Sequence, residues 1–146
     1  MSRSDDLETN NFKVILELQV RFRDTDAMGH INNAVYLSYL ELARIEYWVR
    51  LTGERNYKGV NFILARVQID YRSPGKIDDF LVVGVRLVSL GGASFDFEYR
   101  IWDKATGRLV AEAKTTQVMY DYQKGRPVRM PIEFKEKIRA FERGNG

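Results

Sequence analysis

Cysteine is absent from this 146-residue chain, and histidine occurs once, as His30. Without cysteine there is no disulfide, no thiol nucleophile and no thiolate-bound metal, which agrees with a reducing compartment. Long apolar runs are missing too, so no segment reads as a membrane span. The opening MSRSDDLETNN is polar and acidic, unlike a secretory signal, and the expected location is cytoplasmic, with no membrane partner. A large charge of one sign is also lacking. Lys and Arg number 23 against 20 Asp and Glu, a formal net charge of +3. That is far from a nucleic-acid footprint and suits an anionic small molecule as well as it suits solubility. Repeats, low-complexity tracts and interdomain linkers do not occur.

What is present is the composition of an ordinary globular protein, 45% hydrophobic and 29% charged, on a chain long enough for one substantial core. Residues 1–11 lack periodicity and read as a frayed tail. Residues 12–23 alternate, with Phe12, Val14, Leu16, Leu18, Val20 and Phe22 in one phase, and predict a half-buried strand. A helix is predicted from Asn33 or Ala34 to Leu51, closed by Gly53. Its apolar residues, Leu37, Leu42 and Ile45 among them, exceed one stripe, so the helix should be surrounded rather than merely docked. After a polar connection, four strands follow. In the first, Ile63, Ala65, Val67, Ile69 and Tyr71 alternate with Leu64, Arg66, Gln68 and Asp70. Strands at 80–89, 95–101 and 109–122 come next, divided by turns at Pro74-Gly75, Gly91-Gly92 and the DKATG segment. Pro131 opens a short amphipathic helix. The order implies an α+β fold, a strongly curved antiparallel sheet wrapped around one long central helix, as a single domain over 12–146.

The chemistry concentrates between Asp24 and Asn33, where two carboxylates, the sole histidine and two asparagines precede the long helix. A carboxylate beside a helix start is a plausible reaction centre, because the acid supplies a base and the helix end supplies N–H donors. Asp26 is either that reactive group or a residue of an Asx-type turn. Asp24, two residues away on an extended loop, should point elsewhere, towards Arg21 or Arg23, and stiffen the loop. A metal-binding reading of Asp24 and Asp26 lacks further acidic or histidine ligands nearby, so no metal is expected. His30 hydrogen-bonds within the loop or lies near substrate. Gly29 permits the backbone turn. Asn33 either caps the helix or presents its main-chain N–H. Asn32 holds the loop or meets the substrate. Glu41 and Arg44 are spaced for an ion pair, unless Glu41 faces a pocket.

The residues Arg21, Asp24, Asp26, Gly29, His30, Asn32, Asn33, Tyr36, Leu37, Tyr39, Glu41, Ala43 and Arg44 read R-x-x-D-x-D-x-x-G-H-x-N-N-x-x-Y-L-x-Y-x-E-x-A-R. This resembles the hot-dog-fold thioesterases, in their 4-hydroxybenzoyl-CoA thioesterase-like branch. Ile69-Asp70-Tyr71 with Pro74 and Asp78-Asp79 resembles the strand–turn–strand that follows the helix in that family. The resemblance implies an acyl-CoA thioesterase that needs no cofactor, with Asp26 as general base or nucleophile and the Asn33 amide polarising the thioester carbonyl. It also implies dimers that share a sheet, usually paired into tetramers, with sites at the subunit interface. Some relatives carry a functional histidine where this chain has Asn33, so a histidine-assisted mechanism is not expected. For the CoA moiety, Arg72, Lys76 and Arg100 are candidate cations. Gly91 and Gly92 either admit the pantetheine arm or form a simple turn, and Ser94 is a candidate donor. Two other functions fit the same motif: hydrolysis on acyl carrier protein, and a non-catalytic acyl- or CoA-binding module.

Overall fold

The computed structural model describes residues 12–54 and 61–145. The expected N-terminal tail and most of the polar connection before the second strand lie outside the described residues. The elements are β1 (Val14–Gln19), α1 (Asn33–Thr52), β2 (Phe62–Tyr71), β3 (Phe80–Leu90), β4 (Ser94–Asp103), β5 (Leu109–Asp121), β6 (Arg126–Pro127) and α2 (Ile132–Ala140). A 3-10 turn, Phe22–Asp24, follows β1, and a π-type turn, Phe141–Asn145, continues α2. The strands form one antiparallel sheet in the order β1-β3-β4-β5-β2, with β6 added to β5. This is the hot-dog fold, an α+β architecture in which a curved sheet faces one long helix. Among the described residues no helix is long and apolar enough to cross a membrane.

The central strands β3, β4 and β5 bury their inner rows almost completely, through Leu81, Val83, Val85, Phe95, Phe97, Tyr99, Ala111 and Met119. Onto them α1 lays Tyr36, Tyr39, Leu40, Ala43, Tyr47, Trp48 and Leu51, a single stripe at helical spacing. Edge-to-face contacts lock the stripe in place, with Tyr47 to Phe97 at 4.9 Å and Trp48 to Phe95 at 5.9 Å between ring centres. Such rings dominate a core's buried area. At the far end α2 stacks Phe134 on Trp48, and Glu142 accepts from the Tyr47 hydroxyl (2.7 Å) and the Leu87 N–H (2.9 Å).

The structure corrects three expectations. The first strand ends at Gln19 rather than Arg23, because the chain turns into the 3-10 segment; Phe22, expected on the buried phase, is 80% exposed. The second strand carries a bulge between Leu64 and Arg66, which resets its alternation. Leu64, paired with the buried Gln117, therefore shares the inner face with Val67, Ile69 and Tyr71 instead of opposing them. Finally, α1 is not surrounded within one chain. Leu37 and Leu42 are about half exposed, at 45% and 48%.

That openness has a direction. The helix lies closest to β1 and β3, and the inner face of β2 is left partly uncovered, with Leu64 45% and Val67 36% exposed. Among the described residues β2 pairs with β5 alone, so one edge of a ten-residue strand carries no partner. A long apolar edge strand of this kind is a template for a further strand.

Candidate active site

The loop between β1 and α1 is held by main-chain hydrogen bonds. Thr25 bridges to Ile31, the Asp26 N–H donates to the His30 carbonyl (2.8 Å), and the Gly29 N–H donates to the Asp26 carbonyl (3.0 Å). Gly29 takes φ of 76°, a left-handed conformation that costs glycine little. The loop is then stitched to the β2–β3 turn. Ile31 donates to the Gly75 carbonyl (2.8 Å), and Ile77 donates to the Gly29 carbonyl (3.3 Å). A side chain at Gly75 would meet Ile31 Cδ1 and oblige that side chain to turn aside.

Beneath the loop, Asp24 is buried, and its Oδ2 accepts from the Arg21 N–H (2.9 Å) and the Tyr39 hydroxyl (3.0 Å). Its Oδ1 accepts from Arg21 Nη2 at 2.9 Å. Burial pushes the Asp24 carboxyl up, but the hydrogen bonds and charge of Arg21, with the Tyr39 hydroxyl, outweigh it and hold the group below the ordinary carboxylate range. Burial and then the Asp24 contact raise Tyr39, which stays a neutral donor. Asp24 is the anchor of the loop and is turned away from the cleft.

Asp26 sits at the surface of the loop. Its Oδ1 accepts from the Met28 N–H (2.8 Å) and the His30 N–H (3.3 Å), an Asx turn. Among the described residues nothing donates to Oδ2. The turn and a reactive role are therefore compatible, with one oxygen fixing the carboxylate and the other free. Asn32, not Asn33, is the cap of α1: the helix starts at Asn33, and Asn32 Oδ1 accepts from the Ala34 N–H at 3.0 Å. Asn33 is thus the first helical residue, whose N–H has no intrahelical acceptor, and among the described residues none occupies it.

A cavity of about 340 Å³ opens over these groups, lined by Asp26, His30, Asn33, Tyr36, Tyr71 and Arg72 along with Ile31, Ser73 and Pro74. Tyr36 and Tyr71 meet edge-on at 5.1 Å and form its apolar wall. His30 hydrogen-bonds within the loop through its main chain, while the residue itself lines the cavity. Arg72 reaches the rim, but its guanidinium pairs with Glu112 at 3.0 Å and lies 3.9 Å from Asp70. Arg100 pairs with Glu112 away from the cavity. Lys76 bridges to His30 through the backbone.

Gly91, Gly92 and Ser94 are not brought to this cavity within one chain. Tyr71 pairs with Ala111 and Ser94 with Val118, so β5 separates the two ends by about 23 Å. The Gly91 N–H donates to the Ser94 carbonyl (2.7 Å), and the Gly92 carbonyl accepts from Met130 (3.0 Å), so this segment has a structural use as a turn. The Glu41–Arg44 pair does not form either. Glu41 is exposed, and Arg44 turns inward to the Tyr99 hydroxyl at 3.1 Å. Arg108 was not anticipated. It donates to Ser73 Oγ (2.7 Å) and the Pro74 carbonyl (2.8 Å), clamping the turn that receives the loop. A lone arginine after a DKATG turn carries no signal of that contact.

Residues 20–138 match the thioesterase-like superfamily. The chain belongs to that superfamily. A solved thioesterase from Thermus thermophilus, complexed with coenzyme A and Zn, is 40% identical, covers 92% of this chain and 97% of its own, and superposes with a TM-score of 0.82. The acyl-CoA thioester hydrolase YbgC of Escherichia coli O6:H1 is 31% identical over 82% of this chain and 93% of its own. The long-chain acyl-CoA thioesterase FadM of Escherichia coli K12 is 29% identical over 84% and 94%. Each match covers most of this chain and nearly the whole of the relative, and residues 20–138 include the loop and helix described above.

Proposed function

We propose that this protein hydrolyses acyl-CoA thioesters, with Asp26 and the main-chain N–H of Asn33 acting on opposite ends of the reacting group. The observation that carries the proposal is the pairing on one cavity of two groups unoccupied among the described residues: a carboxylate oxygen whose twin is already fixed, and a helix-terminal donor without an acceptor. In the general-base route, Asp26 takes a proton from water, and the hydroxide adds to the thioester carbonyl. The carbonyl oxygen becomes an oxyanion facing the Asn33 N–H and the positive end of α1. Collapse breaks the C–S bond, and the proton held by Asp26 passes to the departing thiolate. In the covalent route, Asp26 attacks the carbonyl, the thiol leaves, and water cleaves the mixed anhydride.

The site is completed by a second copy of the chain. The unpaired edge of β2 and its exposed inner row support pairing about a two-fold axis, which sets the Tyr71 end of one strand beside the Phe62 end of the other. The Gly91–Ser94 turn of a second copy then approaches the Asp26 cavity, where its glycines leave room for the pantetheine arm. Further pairing of dimers into tetramers follows the family expectation, and a cytoplasmic location agrees with the absence of cysteine.

Thiol release is to be measured on short-, medium- and long-chain and aromatic acyl-CoAs, and on acyl carrier protein thioesters, for wild type and Asp26→Asn. CoA thioester turnover lost in Asp26→Asn is the expected result. Turnover restricted to carrier-protein thioesters would move the substrate class, and no turnover on either would leave an acyl-binding module. Full activity in Asp26→Asn would remove Asp26 from the mechanism. Heavy oxygen found in Asp26 after a single turnover in heavy-oxygen water would require the covalent route with water entering at the Asp26 carbonyl, since the general-base route labels only the product acid.

A further inference from the structure

A second cavity, about 610 Å³, opens where β5 runs into β6 and the chain turns towards α2. Tyr120, Tyr122 and Val128 line it, with Arg129 on one wall. Tyr120 and Tyr122 meet edge-on with ring centres 5.2 Å apart, and Tyr122 is 63% exposed, so much of its ring is free for a flat partner to stack on. Main-chain bonds on both sides of β5 fix the frame. The Tyr120 N–H donates to the Asn61 carbonyl, the Val128 N–H to the Met119 carbonyl and the Met130 N–H to the Gly92 carbonyl, each at 3.0 Å. Arg129 is thereby carried to the Gly91–Gly92 turn. Its guanidinium lies against Gly92, where a methyl group would stand 3.6 Å from Nη1. Arg72 and Arg100 each pair with Glu112, whereas among the described residues no carboxylate comes within ion-pair distance of Arg129. Asp121 also lines the cavity, but its Oδ1 accepts from the Gln123 N–H (2.8 Å) and the Lys124 N–H (3.0 Å), and Lys124 and Arg126 offset its charge.

Within one chain this cavity and the Asp26 cavity are at opposite ends of β2 and β5. The two-fold pairing proposed above brings different copies together. It sets Tyr71 of a second copy beside Phe62, the neighbour of Asn61 at the cavity's edge. From that position β2, β5 and the Val128–Arg129 segment follow at three strand spacings, about 14 Å. The pairing runs through β2, and Tyr122 and Arg129 stand outside it, both exposed.

We infer that this cavity takes the adenosine-phosphate end of coenzyme A while the thioester lies in the Asp26 cavity of the second copy: Tyr122 stacks on the adenine, and Arg129 pairs with a phosphate. The inference rests on the acyl-CoA reading and deepens it. A CoA thioester brings several phosphate charges, and the arginine on the rim of the Asp26 cavity, Arg72, is already held by Glu112. A guanidinium that is positioned but has no carboxylate partner matches the oxygens of a phosphate. A tyrosine ring beside it suits a base, and the volume falls within the range of small-molecule sites.

The test compares an acyl-CoA with the same acyl group on pantetheine, which lacks the adenosine and its phosphates, using wild type, Arg129→Met and Tyr122→Ala. Arg129→Met raises KM for the acyl-CoA by roughly 10-fold, the lower end for a hydrogen bond between charged groups. Tyr122→Ala raises it by roughly 5-fold or more, the lower end for losing a base stack. In both, kcat holds, since the contact is equally strong in ground and transition states. The kcat/KM on acyl-pantetheine stays at the wild-type value, which general damage to the fold would not allow. Calorimetric binding of free CoA to Asp26→Asn, with and without Arg129→Met, reads the same loss without turnover, so a failure of the hydrolytic mechanism is told apart from a failure of the nucleotide site. Coexpressed Asp26→Asn and Arg129→Met chains form mixed pairs in which one site joins an intact Asp26 to an intact Arg129, and a low-KM component absent from either chain alone is expected. An unchanged KM for acyl-CoA in Arg129→Met would overturn the inference. So would an equal loss on acyl-pantetheine, or a mixture without the low-KM component.

Discussion

Asn33→Pro is the sharpest probe of the oxyanion site, because it deletes one hydrogen-bond donor and little else. Asn33 is the first helical residue, the position at which proline is most readily accepted. The preceding Asn32 has φ −62° and ψ 134°, the region that residues before proline prefer. Its capping bond to the Ala34 N–H does not involve the Asn33 nitrogen. The helix should therefore persist, and circular dichroism and thermal melting should match wild type closely. Loss of one oriented oxyanion donor costs about 2.7–4 kcal/mol, so kcat should fall roughly 10²- to 10³-fold. KM should move little, since the contact strengthens only as charge develops on the oxygen. Asn33→Ala keeps the N–H and should lose only a small part of kcat. Steady-state thiol release on one good acyl-CoA reads both variants. If Asn33→Pro folds and turns over within a few-fold of Asn33→Ala, the oxyanion does not form at this amide.

Asp24→Asn should lower stability by about 1.5–3 kcal/mol, the worth of a hydrogen bond to a charged group, as read by urea unfolding. Because the folded Asp24 carboxyl lies below its unfolded value, its contribution is complete above about pH 3.9 and is lost as pH falls through the folded value. That acid-side loss should shrink in Asp24→Asn, and identical pH profiles would contradict the anchoring role. Gly75→Ala should destabilise by about 1 kcal/mol, because the buried Ile31 side chain must turn aside to admit the methyl group; unchanged urea unfolding would mean that Ile31 has room to move. Leu64→Glu combined with Val67→Glu should reduce the particle mass seen by light scattering and abolish turnover together. Activity in a proven monomer would contradict a site completed by a second copy.

The element order, the antiparallel sheet and the long helix were legible because alternation and helical spacing are local and strongly patterned in this chain. Gly53 at the helix end and Gly29 in the loop were legible for the same reason, since a left-handed backbone favours glycine. What escaped was set by contacts between distant segments. The bulge after Leu64 leaves no compositional mark, yet it decides which residues of β2 face inward. The sequence offers Asn33 as the cap, and only the exact start of the helix moves that role to Asn32. Arg44 matched a helical ion pair by spacing, but Tyr99, 55 residues away, draws it inward. Asp24 does pair with Arg21, one of the two arginines expected for it, but from the end of a 3-10 turn rather than from an extended loop. Gly91 and Ser94 joined the candidate site by resemblance, and a single chain keeps them at the other end of the sheet.

The loop that carries Asp26 is secured to its surroundings through Asp24 and through peptide groups at Asp26, Gly29, Ile31 and Asn32. Met28 contributes only its backbone N–H, and the side chains of Ala27 and Met28 are exposed on the loop beside Asp26. Conformation and recognition are thereby written in separate letters. Substitutions at these two positions can change the surface beside the carboxylate while the carboxylate keeps its place, which makes them natural points of divergence for a lineage and convenient handles for an engineer.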